Sequence, residues 1–123
     1  SLVKLYFPLR HLGSMSMEEA QWYWRTHHGP VIRRQAHGSG IIRYQQVHRD
    51  EPELTDGINR SRGSKVEPYL GHAEVWMDRS VMGNPTPENK AASKRAYEDE
   101  ANFIDFARST MFLTKEHVFI DRR

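Results

Sequence analysis

Cysteine is absent from this chain of 123 residues. That excludes a disulfide scaffold, a thiolate metal site and a cysteine nucleophile, and it suits a cytoplasmic protein. No uninterrupted apolar run reaches the roughly 18 residues that a membrane-spanning helix needs. Nor does a charged stretch lead into a short apolar one, so no secretory signal is expected. Charge of one sign is also scarce: 18 Lys and Arg face 16 Asp and Glu, a net charge of +2. Self-repulsion on that scale does not keep a chain unfolded. The pI of 9.0 does not point to nucleic acid either. The basic residues are scattered as Arg33-Arg34, Arg60 to Lys65, Lys90 to Arg95 and Arg122-Arg123, with acidic neighbours beside most of them. A nucleic-acid binder gathers such charge on one face. Neither nucleic acid nor a membrane is an expected partner. Several chemical signatures are missing as well. There is no His-Glu-x-x-His, no Gly-x-Ser-x-Gly elbow, no Gly-x-Gly-x-x-Gly and no Walker loop, so zincin, hydrolase, dinucleotide and P-loop chemistry lack support. No third ligand joins any histidine at a diagnostic spacing, and no metal is expected.

What is present suffices for one domain, residues 1–123, with a modest core: apolar residues make up 37% of the chain. Leu2 to Leu9 alternates as a strand, with Val3, Leu5, Phe7 and Leu9 on one side and Lys4, Tyr6 and Pro8 on the other. Ser16-Met-Glu-Glu19 is a capping box. It opens a helix from Met17 to about His28, with Ala20, Tyr23, Trp24 and His27 in one stripe. Gly29-Pro30 is expected to interrupt that helix and Pro30 to open a second short one, stopped by Gly38 and Gly40. Ile41 to Arg49 reads as a second strand. Asp50 to Pro68 reads as a loop of about nineteen residues, long enough to serve as a lid or to be an idle insertion. Tyr69 to Met77 is a third strand, with Gly71, Ala73, Val75 and Met77 on one face and Leu70, His72, Glu74 and Trp76 on the other. Thr86 caps a helix that starts at Pro87 and runs to about Phe103 or Phe106. Met111 to Ile120 is the expected fourth strand.

This order is βαββαβ, the split βαβ arrangement of the ferredoxin-like α+β fold: a four-stranded antiparallel sheet with both helices on one face. The other face carries residues as large as Trp76 and Leu70 and needs cover. Two such sheets packed face to face make a homodimer with a barrel at its centre.

Three segments carry a resemblance. Glu19-Ala-Gln-Trp-Tyr-Trp-Arg-Thr-His-His-Gly-Pro-Val31 resembles the Y-W-x-x-x-H-x-P-L helix of the EthD family. Trp24, His28 and Pro30 take its motif positions, and Val31 replaces the leucine. His72-Ala-Glu-Val-Trp-Met-Asp78 is similar to the family's third strand. Asp99-Glu-Ala-Asn-Phe-Ile-Asp105 followed by Phe112 to Val118 is similar to its last helix and strand. The family is named for ethyl tert-butyl ether degradation. The resemblance implies a dimeric α+β barrel and small-molecule chemistry. Its wider superfamily holds cofactor-free cyclases, isomerases and quinone-forming monooxygenases, together with haem-binding relatives. Fold alone does not choose among them.

The expected substrate is a hydrophobic, aromatic or polyketide-like molecule. The expected reaction is cofactor-free proton transfer (cyclisation, isomerisation or dehydration) or a cofactor-independent oxidation. A non-catalytic binder that delivers a product to an oxygenase is the alternative, and a haem protein a second one. His28, raised by its place in the motif, is the leading general acid/base, and a C-terminal helix cap is its structural alternative. His27 lies about 100° round the helix and is expected to face elsewhere. His72 and Glu74 alternate onto one strand face, where a carboxylate raises a histidine's basicity. They are the second catalytic candidates, or else polar packing in a dimer interface. Tyr44, Gln46 and His48 share a face of the second strand. Tyr6, Trp24, Tyr44, His48 and Trp76 are the candidate substrate walls, with Gly71 and Ala73 leaving open volume beneath the helices. No cofactor is demanded, although His28 or His72 leaves haem open as an axial ligand.

Overall fold

The strand periodicities carry over into the sheet of the computed structural model, which describes residues 1–123. The strands are β1 (Leu2–Leu9), β2 (Ile41–His48), β3 (Gly71–Asp78) and β4 (Phe112–Thr114). They pair in the order β2-β3-β1-β4, antiparallel throughout. Val3, Leu5, Phe7 and Leu9 of β1 lie opposite Met77, Val75, Ala73 and Gly71 of β3. These two apolar rows form the face on which the helices rest. An irregularity between Ile41 and Arg43 sets the register of β2. It turns Tyr44, Gln46 and His48 to the helix side, opposite Val75, Ala73 and Gly71.

The helices are α1 (Met17–Tyr23), α2 (Gly29–Arg34), α3 (Ala36–Ser39), α4 (Pro52–Ser61), α5 (Ser80–Gly83) and α6 (Pro87–Glu100). Both expected N-caps form. Ser16 Oγ accepts from the Glu19 amide at 3.1 Å while Glu19 reaches back at 3.2 Å. Thr86 and Asn89 do the same at the head of α6. Gly40, at φ 77°, stops α3 in the left-handed conformation that glycine adopts without steric cost. The core is small. Trp24, Phe103, Leu9 and Leu70 are its largest fully enclosed side chains, with Phe7, Ala20, Ala73 and Ile104 around them.

Four expectations need correction here. Leu70, expected on the outer face, lies just before β3 and is enclosed in the core against the helices. Gly29-Pro30 does not interrupt the first long helix. A π-turn at Trp24–His28 joins α1 to α2 without a break, and the Gly29 amide bonds the Trp24 carbonyl. Proline lacks an amide, and the widened turn re-pairs the ladder around it. The segment 50–68 is not a structureless loop: Pro52–Ser61 is helical, started by Pro52 and held by the Thr55 hydroxyl on the Asp50 carbonyl. It does not border the cavity described below, so it is no lid in this structure. The fourth strand spans only Phe112–Thr114. Beyond it Val118, Phe119 and Ile120 are exposed.

Candidate functional site

The π-turn decides where the two histidines go. His28 turns inward and is 3% exposed, whereas His27 turns to the outside. They face different pockets, as their spacing predicts, yet both reach Asp99 of α6. His27 Nδ1 is 3.1 Å from Asp99 Oδ1 and His28 Nδ1 is 2.7 Å from Asp99 Oδ2. The Tyr23 hydroxyl donates to Asp99 at 2.7 Å. Burial opposes ionisation of Asp99, but hydrogen bonds from Tyr23 and His28 outweigh it and hold the carboxyl below its ordinary range. An ionised carboxylate only accepts, so Nδ1 of His28 carries the proton and Nε2 is the free base. Burial pushes the His28 pKa down against the pull of Asp99, which favours the neutral ring.

Nε2 points at Glu100, the next residue of α6, with Oε2 3.7 Å away. This is longer than a hydrogen bond and short enough for a proton to cross after a small movement. Burial, with the neighbouring Asp99 charge adding to it, raises the Glu100 pKa to about 7. Both acids sit in the last turn of α6, which contains no basic residue. Carboxylates there face the negative end of the helix dipole. Asp99, His28 and Glu100 thus line up as an orienting anion, a neutral base and a half-protonated acid, the three parts that general acid/base chemistry requires.

Glu100 and His28 lie in the wall of a cavity of about 800 Å³ between α6 and the inner sheet face. Its other walls are mostly apolar and include Leu5, Phe7, Val75 and Met77. Of the five candidate wall residues, Trp24 and Tyr44 are the two that line it. The Gln46 amide nitrogen donates to the Trp24 carbonyl at 2.7 Å and to the Tyr44 hydroxyl at 2.9 Å, fixing both relative to β2. A side chain at Gly29 would crowd that amide. Burial pushes the Tyr44 pKa up to about 12, so the phenol keeps its proton. His48 stacks on Trp24 at 4.3 Å and bonds Gln46, behind the wall rather than in it. Gly71 does not open volume as expected. The Trp24 ring and the β2 backbone lie against it where a Cβ would be.

The remaining candidates are on the opposite face of the sheet. The Tyr6 hydroxyl is 3.1 Å from His72 Nδ1, and His72 Nε2 is 2.8 Å from Glu74 Oε2. Lys4 pairs with the other oxygen of Glu74 and lies over the Trp76 ring. Burial works against the Glu74 charge, but the Lys4 and His72 hydrogen bonds prevail and keep its pKa low. Tyr6, His72, Glu74 and Trp76 therefore form one polar network, separated by the sheet from His28. His72 does not suit haem, since both its ring nitrogens are engaged, whereas Nε2 of His28 is unbonded and has the Glu100 carboxyl in front of it. No group of three or more His, Asp or Glu side chains has the arrangement of a metal site.

The model of the EthD domain matches residues 13–107. The chain belongs to the EthD family. Among solved structures it resembles an EthD family protein from Bacillus halodurans C-125, with 15% identity and a TM-score of 0.55, over 95% of this chain and 100% of that one. It also resembles a dimeric protein of unknown function with a ferredoxin-like fold from Bacteroides fragilis NCTC 9343. There the identity is 15% and the TM-score 0.51, over 94% and 96% of the two chains. No curated protein matches the chain. The EthD helix motif contains Trp24, His28 and Pro30, which are the wall residue, the buried imidazole and the residue of the re-paired turn. Asp99 and Glu100 are the polar residues that reading the sequence missed as site members. The available signal was the acidic run Glu98-Asp99-Glu100 at the end of a helix whose last turn holds no basic residue, which does not say which of the three faces inward.

Proposed function

We propose that this EthD protein is a cofactor-free enzyme that moves protons on a hydrophobic, enolisable or phenolic small molecule. One observation carries the reading: the His28 imidazole, held by Asp99 at 2.7 Å, faces Glu100 at 3.7 Å in the wall of the apolar cavity. His28 Nε2 removes a proton from a carbon next to a carbonyl, and Asp99 stabilises the imidazolium that forms. Protonated Glu100 donates to the oxygen that gains charge, or to a departing hydroxyl, which leaves as water. The proton on His28 then returns to Glu100 across the same gap, so no external acid, base or oxidant is consumed. Tyr44 and Trp24 hold the ring of the substrate.

The test is exchange of solvent deuterium into a panel of phenolic and enolisable aromatics, followed by NMR. Wild type exchanges the activated C–H. His28→Ala and Glu100→Gln lower that rate by about 10²–10⁴-fold while the ligand still binds. Binding without exchange by wild type across the panel overturns the reading in favour of a carrier that delivers its ligand.

We also propose that the working unit is a homodimer closed over the outer sheet face. Trp76 and Phe112 lie on that face beside the Lys4–Glu74–His72 network. α4 stands nearly clear of its own protomer with Leu54 and Ile58 exposed. A second copy supplies cover for both surfaces.

A further inference from the structure

The charged side chains of the cavity wall are spread unevenly along α6, with the His28 imidazole facing its C-terminal end. Glu100 and His28 occupy one end. Lys90 and Lys94 occupy the exposed rim, nearer the start of the helix. Neither lysine has a carboxylate partner among the ion pairs of the protein. They are four residues apart on one helix, a spacing at which like charges repel and cost helix stability. The acids of α6 nearest to them in sequence do not offset this. Glu88 is at the solvent-exposed start of the helix, and Glu98 borders a separate outer pocket with Arg34 and Arg95. The rest of the wall between the two ends is dominated by apolar side chains. The rim therefore presents two unneutralised cations to whatever enters an otherwise greasy space.

Distance along the helix sets the scale. At 1.5 Å per residue, Lys94 is about 9 Å and Lys90 about 15 Å from Glu100. A lysine stem lies against apolar surface while its ammonium stays in water, which suits a ligand whose body is buried and whose charged head is not. We infer that the cavity takes an elongated amphiphile with an anionic head, an aryl or alkyl carboxylate, its head at Lys90 and Lys94 and its far end at His28 and Glu100. This deepens the proton-transfer reading by naming the substrate class and its orientation. The head-group preference itself does not depend on whether the far end reacts.

The probes are dansyl-undecanoate and its methyl ester, titrated by fluorescence against the wild-type protein at low and at high salt. The acid binds about 5–10-fold more tightly than the ester at low salt, the worth of two exposed charges. The advantage shrinks as salt rises. It disappears in the Lys90→Gln/Lys94→Gln double variant, whose ester affinity is unchanged. Equal affinity for acid and ester in wild type overturns the inference. So does a preference for the acid that survives the double substitution. If neither probe binds, the inference falls, and the proton-transfer reading stands or falls on the exchange panel alone. If the acid preference holds but deuterium exchange is absent, only the proton-transfer reading falls.

Discussion

Glu100 contributes to stability in the opposite sense from most carboxylates. Its folded pKa of about 7 lies above the unfolded value of about 4.3, so the native state binds more protons between those limits. Stability from this group is therefore full below about pH 4 and falls as pH rises through 7. Glu100→Gln should leave stability near pH 4 almost unchanged and raise it at pH 8 by of order 2 kcal/mol, measured by urea unfolding at both pH values. A destabilised variant at pH 8 contradicts the buried-acid assignment. Asp99 has the ordinary sign. Its pKa is lowered, so its contribution is present above the unfolded value and lost as pH falls through the folded one. The activity of the pair should decline above pH 7 as Glu100 loses its proton, read from a rate profile on any substrate that exchanges. His28 was legible beforehand because a histidine next to Gly-Pro in a known motif is a local pattern. Glu100 was not, because nothing local distinguishes it from Glu98, which faces the outer pocket.

At the scale of single elements, the π-turn does most of the positioning. It takes Pro30 into a continuous helix, carries Trp24 and His28 inward together, and leaves His27 outside. The sequence suggested a break, since proline lacks an amide and disfavours helix in its predecessor. A π-turn costs little when its widened ladder is locked from outside, here by Gln46 on the Trp24 carbonyl. Gly71 shows the same dependence on partners. A methyl there would collide with the Val47 carbonyl and press the Trp24 ring. Gly71→Ala should destabilise the fold by about 3 kcal/mol, the upper range of core overpacking, by thermal or denaturant unfolding. A change below about 0.5 kcal/mol, the scale of a neutral surface substitution, would show that Trp24 is not packed there as described. α4 is a helix of 10 residues with no firm packing in its protomer. Isolated helices that short are marginal in water. Its amides should exchange rapidly with solvent in dilute protein and slowly at concentrations where a dimer forms, measured by hydrogen exchange with mass spectrometry. Uniformly fast exchange at every concentration would remove α4 from the interface.

Across the whole molecule, the two faces of the sheet have divided tasks. The inner face builds the cavity, and the outer face holds Lys4, Tyr6, His72, Glu74 and Trp76 in one network. Trp76→Glu puts a charge among the residues that a second copy would cover. It should shift sedimentation from dimer to monomer while leaving the far-UV spectrum unchanged, and an unshifted dimer would relocate the interface. Alternation along β1 and along β3 from Gly71 onward, the two N-caps and the βαββαβ order were readable from the chain, because each rests on residues within a turn or a strand of one another. The pairing of β2 was not, since a single irregularity at Ile41 to Arg43 decides which face Tyr44 occupies. The separation of His72 and Glu74 from His28 by the sheet, and the meeting of His28 with Asp99 and Glu100 across 71 residues, came only with tertiary packing. Periodicity says which side chains share a face, but which two faces meet depends on contacts between distant parts of the chain.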